Sequence, residues 1–236
     1  MARRFAGVFL TALLVCGCVT TMSPTDAQTV GSEPFNVGDA QRAASAYYES
    51  GRYAQDLDAV FSEVRRWVRE HARRHARPAI VLDIDETSVS NWLAMKADGF
   101  GYIRAGDCNR LPQGPCGWLA WEESERAPAI PGALALVREA HSLGVAVFFV
   151  TGRYEDERHA TEANLKAAGY DNWRGLILRP VHSHTESAMQ YKAPARARIE
   201  AEGYRIIANI GDQPSDLDGG HAERTFLLPN PFYRVP

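Results

Sequence analysis

The chain has 236 residues, of which 45% are hydrophobic and 10% aromatic, and this composition is ordinary for a globular protein with one well-buried core. Its formal net charge at pH 7 is −3, which argues against nucleic-acid binding through a generally basic surface. The length favours one folded domain with short additions over a multidomain protein.

The N-terminal residues form a segment of their own. Residues 1–4 carry two arginines, and residues 5–16 form an apolar run without a charge. The run is short for a membrane-spanning helix, and its pattern is typical of a secretory signal. The segment before Cys18 resembles a bacterial lipoprotein signal, although Val15 stands where such signals usually carry Leu. The resemblance implies lipidation at Cys18.

Ordinary cleavage after Ala27 and a buried helix that is never removed are the two alternatives. We expect residues 1–18 to be the signal, residues 19–38 to be a flexible tether rich in small and polar residues, and residues 39–236 to be the folded domain. Loss of the signal removes two arginines, so the mature protein would be more acidic. The expected location is the periplasm or the outer membrane, with a lipid anchor at Cys18.

The folded part begins with helices and continues as an alternation of strands and helices. Between Gln55 and Arg73, apolar residues recur at helical spacing, which predicts an amphipathic helix. Helices are also predicted at 132–143, 155–168 and 188–202. Five short apolar runs, mostly without polar alternation, predict strands that are buried on both faces, which indicates a parallel α/β sheet flanked by helices. These runs are residues 79–82, 145–150, 175–178, 205–210 and 225–228.

The interval 88–128 interrupts this alternation. It is rich in Trp, Gly and Pro and too long for a simple connection, so we expect a partly helical insertion that covers the site together with the N-terminal helices. It contains Cys108 and Cys116. In an exported protein, this pair favours a disulfide that closes a small loop, and two unpaired thiols are the alternative.

Polar residues follow several of the predicted strands. Because the carboxyl ends of parallel strands meet at one edge of a sheet, and ligands bind there, we expect these side chains to lie together. Two carboxylates at the mouth of an apolar strand are costly unless a positive charge compensates them. The residues concerned are Asp83 and Asp85 after the first strand, Thr151, Gly152 and Arg153 after the second, Asp212 and Asp216 after the fourth, and Lys192 on the helix before the fourth strand.

One reaction uses all of these groups. An ionised Asp83 attacks phosphorus and forms an aspartyl-phosphate, while Asp85 protonates the leaving oxygen and later deprotonates the attacking water. A hard cation bound by Asp83, Asp85 and Asp212 would offset the negative charge, and Mg²⁺ is the expected ion. Thr151 and Lys192 would bind the phosphoryl oxygens.

The same motifs resemble the haloacid dehalogenase superfamily, and within it the exported acid phosphatases of the plant and bacterial lipoprotein type. The resemblance extends from the helix before Pro78 to the C terminus. Its four motifs occur in the family's order, and a closing segment also matches. These are Ile80-Val81-Leu82-Asp83-Ile84-Asp85-Glu86-Thr87, Phe149-Val150-Thr151-Gly152-Arg153, Tyr191-Lys192, Gly211-Asp212-Gln213-Pro214-Ser215-Asp216-Leu217 and Leu228-Pro229-Asn230-Pro231-Phe232-Tyr233.

The resemblance implies a Rossmann-like fold and a role for each residue. Asp83 is implied as nucleophile and metal ligand, Asp85 as acid/base whose backbone carbonyl also meets the metal, Asp212 as metal ligand and Asp216 as a support or ligand. Pro214 departs from the plant-type members, which tend to carry Trp there. The implied phosphate-binding residues are Thr151, Gly152 and Lys192.

The implied function is an exported, Mg²⁺-dependent acid phosphatase that acts on small phosphate monoesters. Phosphoryl transfer to an acceptor other than water is one alternative, and a non-catalytic binding or storage protein of the same fold is the other. Arg153 is a further candidate residue that could support the site. It could bind an anion or form an ion pair with Glu155 or Asp156, and both roles remain open.

Overall fold

The computed structural model describes residues 34–181 and 187–235. The predicted signal, its cleavage sites and most of the predicted tether lie outside the described residues. Asn36–Pro236 forms one compact unit. Among the residues that are described, no helix is both long enough and apolar enough to cross a membrane.

Helices and strands alternate along this unit as predicted. The helices are α1 (Val37–Glu49), α2 (Arg52–His71), α3 (Trp92–Ala97), α4 (Trp118–Glu123), α5 (Pro131–Ser142), α6 (Arg158–Ala167), α7 (Met189–Ala201) and α8 (Pro214–Leu217). The strands are β1 (Pro78–Leu82), β2 (Ala146–Tyr154), β3 (Gly175–Arg179), β4 (Arg205–Gly211) and β5 (Thr225–Leu227).

The five strands form one sheet in the order β3-β2-β1-β4-β5, and every pairing is parallel. All five residues of β1 are buried, which explains why its sequence is apolar without alternation. The parallel α/β fold flanked by helices is therefore confirmed. Because β1 lies between β2 and β4, the residues that follow these three strands meet at one edge.

Helix α2 is amphipathic, as the helical spacing of its apolar residues predicts. Phe61, Val64 and Val68 are buried on one face, and the opposite face carries charged side chains. The apolar face packs on α5, where Gly132 allows a close approach. A Cβ on Gly132 would lie 2.6 Å from a ring carbon of Phe61. Helices α2 and α5 are thus held together by close packing.

The second predicted strand was too short. After an irregularity that begins at Val150, the backbone of Tyr154 pairs again with Arg179, so β2 continues to Tyr154. Two of the predicted phosphate-binding residues, Thr151 and Gly152, therefore lie on the last part of the strand. The predicted helix 155–168 begins later, at Arg158, because residues 155–157 form a 3₁₀ turn.

The N-terminal helices and the insertion pack together. Helix α1 begins at Val37, within the last residues predicted as tether, and the Asn36 side chain caps it by accepting the Asp39 N–H at 3.2 Å. Tyr48 of α1 stacks on Trp92 of α3, with ring centroids 3.7 Å apart. The insertion is partly helical, as predicted.

The predicted disulfide within this insertion is also confirmed. Cys108 and Cys116 are joined in the loop that precedes α4. The bridge closes a short loop of the kind that stabilises an irregular segment by restricting its unfolded forms.

Candidate active site

A cavity of about 460 Å³ lies at the carboxyl ends of the central strands. Seven of the eight residues singled out in the sequence line its wall. The sheet topology brings them together from four separate stretches of chain. They are Asp83, Asp85, Gly152, Arg153, Lys192, Asp212 and Asp216.

Asp83 is held by the backbone around it. Its N–H donates to the carbonyl of Ile210 at 3.0 Å, which continues the pairing of β1 with β4. Its own carbonyl accepts the Ser88 hydroxyl at 2.6 Å. Only 7% of Asp83 is exposed, and burial raises the pKa of its carboxyl well above the ordinary value. Lys192 opposes this rise, whereas the charges of Asp216 and Asp212 add to it.

Asp85 has the opposite electrostatic environment. Its carboxylate accepts hydrogen bonds from Nε of Arg153 at 3.1 Å, from Nη2 of Arg153 at 2.7 Å and from Nδ2 of Asn91 at 2.9 Å. Burial by itself would raise the pKa of Asp85, but the Arg153 charge and these hydrogen bonds lower it below the ordinary value. An ion pair with Glu155 or Asp156 was one of two roles left open for Arg153. The structure instead pairs its guanidinium with Asp85, because β2 continues past Val150 and carries Arg153 towards that carboxylate.

Lys192 is the cation at the centre of the cluster. Its ammonium group is buried, donates to Asp83 and lies 2.6 Å from Oδ1 of Asp216. Burial lowers the pKa of a lysine, yet the charges of Asp216 and Asp83 raise the pKa of Lys192 above its ordinary value. Lys192 therefore stays charged and compensates carboxylates from two different strand ends.

Asp212 is oriented by three side chains. It accepts hydrogen bonds from the Thr87 hydroxyl at 3.1 Å, from the Gln213 amide at 2.6 Å and from the Asn230 amide at 2.7 Å. Burial and the neighbouring Asp216 raise the pKa of Asp212 to about 7. These donors leave the carboxylate positioned at the cavity wall.

Glycine is required immediately before Asp212. A Cβ on Gly211 would lie 2.5 Å from both Cβ and a carboxylate oxygen of Asp216. The motif Gly-Asp therefore permits the turn that brings Asp216 back against the end of β4.

Three buried carboxylates could hold a metal ion together. Asp83, Asp212 and Asp216 each offer an oxygen atom, and these atoms lie within 4.8 Å of one another. Oxygen ligands of this kind suit a hard divalent cation. The sequence prediction gave Asp83 and Asp212 as ligands, Asp85 as a ligand through its backbone carbonyl, and Asp216 as a support or ligand. The Asp85 side chain is engaged with Arg153 and Asn91.

The predicted phosphate-binding residues of β2 differ in position. Gly152 lines the cavity, and a Cβ there would lie 3.0 Å from the Tyr191 hydroxyl. Thr151 is buried, and its hydroxyl accepts the Arg153 N–H at 3.2 Å. Lys192 lines the same cavity, so two of the three predicted phosphate-binding groups lie in its wall.

Sequence reasoning missed Glu86 as a member of the site. It has a left-handed backbone, with φ of 53°, and its carboxylate accepts hydrogen bonds from the Asn91 amide and from the Tyr233 hydroxyl at 3.2 Å. Burial raises the pKa of Glu86 to about 8. The left-handed backbone of Glu86 indicates a functional position, and this signal is visible in the structure but not in the sequence.

Glu122 and Asn230 were missed for different reasons. Asn230 belongs to the closing segment that resembled the family, and its amide donates to Asp212 at 2.7 Å. Glu122 has no motif around it, yet it is only 4% exposed and lines the cavity.

Aromatic side chains form much of the remaining wall. Tyr102 and Trp118 of the insertion line the cavity, together with Phe100 and Tyr233. Core packing accounts for Trp121, which is 1% exposed. The cavity thus has a charged floor and a largely apolar wall.

Comparison with known proteins agrees with this geometry. The family described as HAD superfamily, subfamily IIIB (Acid phosphatase) matches residues 17–236. The chain is 36% identical to the Stem 28 kDa glycoprotein of Glycine max over 82% of its own length and 74% of that protein. It is 35% identical to Acid phosphatase 1 of Solanum lycopersicum, over 78% of this chain and 69% of that one.

A solved structure shares the fold. It is the class C acid phosphatase from Bacillus anthracis with tungstate bound, with a TM-score of 0.65 and 22% sequence identity. The match covers 83% of this chain and 86% of that one. The chain therefore belongs to the HAD superfamily, subfamily IIIB of the acid phosphatases, and its enzyme class is that of the phosphomonoesterases.

Proposed function

We propose that the protein is an exported, Mg²⁺-dependent acid phosphatase that hydrolyses small phosphate monoesters through an aspartyl-phosphate on Asp83. The observation that carries the proposal is the convergence of Asp83, Asp85, Lys192 and Asp212 on one cavity at the carboxyl ends of β1 and β4. No nucleic-acid partner is proposed, because the net charge is negative.

In the first step, a carboxylate oxygen of Asp83 attacks phosphorus and the bond from phosphorus to the alcohol oxygen breaks. Asp85 gives its proton to that oxygen, and the free alcohol leaves. Arg153 lowers the pKa of Asp85, so the protonated acid that this step requires forms only at low pH. Lys192, Thr151 and Gly152 are the proposed donors to the phosphoryl oxygens.

In the second step, water attacks the phosphorus of the aspartyl-phosphate and Asp85 accepts a proton from that water. The bond between phosphorus and Asp83 breaks, which releases phosphate and restores the carboxylate. Asp85 is suited to the base role because Arg153 lowers its pKa and so favours its ionised form.

The donor set fits a hard divalent cation. The carboxylates of Asp83 and Asp212, with Asp216 beside them, would hold the ion, and the backbone carbonyl of Asp85 is the further proposed ligand. When bound, the ion would neutralise negative charge on the phosphate and on the carboxylates. The raised pKa of Asp83 is one reason to expect it, because a buried nucleophile among other carboxylates needs more positive charge than Lys192 provides.

Export is proposed on the N-terminal pattern and on the disulfide. Disulfides persist in oxidising compartments, so the bond between Cys108 and Cys116 favours a protein that leaves the cytoplasm. We propose that the protein lies in the periplasm or at the outer membrane, with a lipid anchor at Cys18. The residues that would carry the anchor lie outside those described.

The test is release of phosphate from a panel of monoesters by the wild type and by Asp83→Asn, with and without Mg²⁺. We expect hydrolysis that depends on Mg²⁺ and that falls by at least about 10³-fold in Asp83→Asn, since removal of a nucleophile abolishes the covalent route. Asp58→Asn is a matched control, because Asp58 is exposed on α2.

Two alternatives make different predictions for the same panel. A storage or binding protein of this fold would show no Mg²⁺-dependent turnover in the wild type. A phosphotransferase would release more alcohol than phosphate when an acceptor alcohol is added. Activity that survives Asp83→Asn unchanged would exclude the proposed nucleophile.

A further inference from the structure

The Asp85 carboxylate has donors on two sides. Arg153 donates Nε and Nη2 to it, at 3.1 Å and 2.7 Å. Asn91 donates Nδ2 to it at 2.9 Å. The Arg153 side chain is 1% exposed and that of Asp85 is 16% exposed, so these are buried, charge-assisted contacts. The orientation of Asp85 therefore depends on what holds Arg153 and Asn91.

Two adjacent residues of α4 hold these two donors. Oε1 of Glu122 lies 3.4 Å from Nε of Arg153. The indole N–H of Trp121 donates to Oδ1 of Asn91 at 2.7 Å. Helix α4 belongs to the insertion. It is linked to the Asp85 carboxylate through one intervening residue on each side, Arg153 on one and Asn91 on the other.

The burial of Glu122 is difficult to explain by stability alone. It is 4% exposed and lies in the cavity wall beside Asp85 and Arg153. An apolar residue of similar size would avoid the cost of removing a carboxylate from water. Burial and the charge of Asp85 raise the pKa of Glu122 well above its ordinary value, and the charge of Arg153 opposes this rise. Nε of Arg153 donates to Asp85 and lies 3.4 Å from Glu122, so Glu122 packs against the same edge of the guanidinium.

We propose that α4 of the insertion aligns the acid/base Asp85 through Glu122–Arg153 and Trp121–Asn91, with Glu122 and Trp121 as positioning residues. The inference rests on the proposed function, since it assumes that Asp85 protonates the leaving oxygen. Neither residue touches the phosphoryl group in this reading. Each acts through the donor that it holds.

This arrangement affects one step more than the others. As the bond from phosphorus to the alcohol oxygen breaks, the proton of Asp85 passes to that oxygen. An alkyl alcohol leaves poorly without the proton, whereas p-nitrophenolate leaves readily without it. A misaligned Asp85 therefore slows the cleavage of alkyl phosphates far more than that of p-nitrophenyl phosphate.

The experiment measures kcat/KM for Mg²⁺-loaded enzyme across phosphate monoesters, from p-nitrophenyl through phenyl to alkyl phosphates. The variant Glu122→Gln keeps the size of the side chain and replaces its carboxyl group by an amide. We expect kcat/KM to fall roughly tenfold or more for alkyl phosphates and less than about twofold for p-nitrophenyl phosphate, which is part of the usual contribution of general acid catalysis. The plot of log kcat/KM against leaving-group pKa becomes steeper.

Glu123→Gln is the matched control, because Glu123 is the next residue of α4 and is exposed. It should keep the wild-type slope. Trp121→Phe removes the N–H that holds Asn91 and keeps a large ring, and it should steepen the slope as well. If Glu122→Gln does not fold, as judged by thermal unfolding, Trp121→Phe provides the same test.

Equal losses on all substrates in both variants, or wild-type slopes in both, would overturn the inference. These outcomes are separate from failure of the proposed function. If the wild type hydrolyses the series and Asp83→Asn does not, the function stands and only the positioning role of α4 is at issue. A wild type without activity would refute the function itself.

Discussion

Asp83 and Asp85 are the same chemical group two residues apart, and their environments push their pKa values in opposite directions. Asp83 is buried among Asp212 and Asp216, so its pKa is raised. Asp85 is buried as well, but Arg153 makes its ionised form the favourable one. Different roles for two carboxylates in one site follow from such differences in environment.

Lys192 is the buried cation that Asp83 shares with Asp216. In Lys192→Met, Asp83 and Asp216 lose their shared cation, and removal of one partner from a buried ion pair costs roughly 3–5 kcal/mol. We expect phosphatase activity to fall at least about 100-fold, since a group that stabilises transition-state charge is lost, and we expect the metal-free protein to unfold at a lower temperature.

Kinetics with a phosphate monoester and thermal unfolding of the metal-free protein check this prediction. Lys166→Met is the control, because Lys166 is exposed on α6 and should change neither quantity. Activity within about twofold of the wild type in Lys192→Met would contradict a role in charge compensation.

At the scale of elements, α2 and α5 are joined by an ion-pair cluster as well as by apolar packing. Glu139 of α5 pairs with Arg65 and with Arg69 of α2, the latter at 2.6 Å. Partial burial raises the pKa of Glu139, but the hydrogen bonds and charges of Arg69 and Arg65 outweigh it, and the net pKa is lowered. The cluster thus adds to the contact between these helices while Glu139 is ionised.

The consequence is a stability difference that depends on pH. A carboxyl whose pKa is lowered by folding stabilises the native state above its unfolded pKa, and this contribution disappears as pH falls through the folded pKa. Glu139→Gln should therefore reduce the free energy of unfolding by about 1 kcal/mol at pH 7, because the arginines are partly exposed and screened. At a low pH, below the folded pKa of Glu139, the two proteins should be equally stable.

Urea unfolding at the two pH values measures this difference. Glu70→Gln, at an exposed position of α2, should have little effect at either pH. A loss in Glu139→Gln that persists unchanged at low pH would indicate that packing of the side chain, and not its charge, stabilises the helix pair.

At the scale of the whole molecule, the site is made by distant parts of the chain. β1, β2 and β4 contribute acidic and basic groups, α4 of the insertion reaches the cavity from another side, and the segment after β5 returns to contact Asp212 and Glu86. A parallel sheet with its connections on both faces is what makes this convergence feasible.

Export is the remaining prediction at this scale. Mass spectrometry of the mature protein, produced in a bacterium with a lipoprotein-processing pathway, should find an N terminus at a lipid-modified Cys18. Cys18→Ser should abolish the modification and release the protein from the membrane fraction. An unmodified chain that begins at Gln28 would refute lipidation and favour ordinary cleavage.

Much of the candidate site could be predicted because the motifs are local. Asp83, Asp85, Asp212 and Lys192 lie at strand ends or beside them, and a buried parallel strand is recognisable from its apolar run. Seven of the eight residues singled out do line one cavity. The ends of elements were less predictable: β2 passed its expected end because pairing with β3 resumes at Tyr154.

The contacts of the insertion could not be predicted. Glu122 is one of two adjacent glutamates on α4, and nothing in the sequence distinguishes the buried one from the exposed one. The ion pair between Arg153 and Asp85 could not be predicted either, because Asp85 follows another strand and is far from Arg153 in the chain.

The fold class, the order of the elements and the acidic groups at the strand ends can be read from the amino-acid sequence, because apolar periodicity and short motifs are properties of local chain. The pairing of each carboxylate with its cation becomes visible in the folded chain, and it explains why the pKa of Asp83 rises while that of Asp85 falls. Burial and charge pairing act through space between residues far apart in the chain, so local patterns do not reveal them.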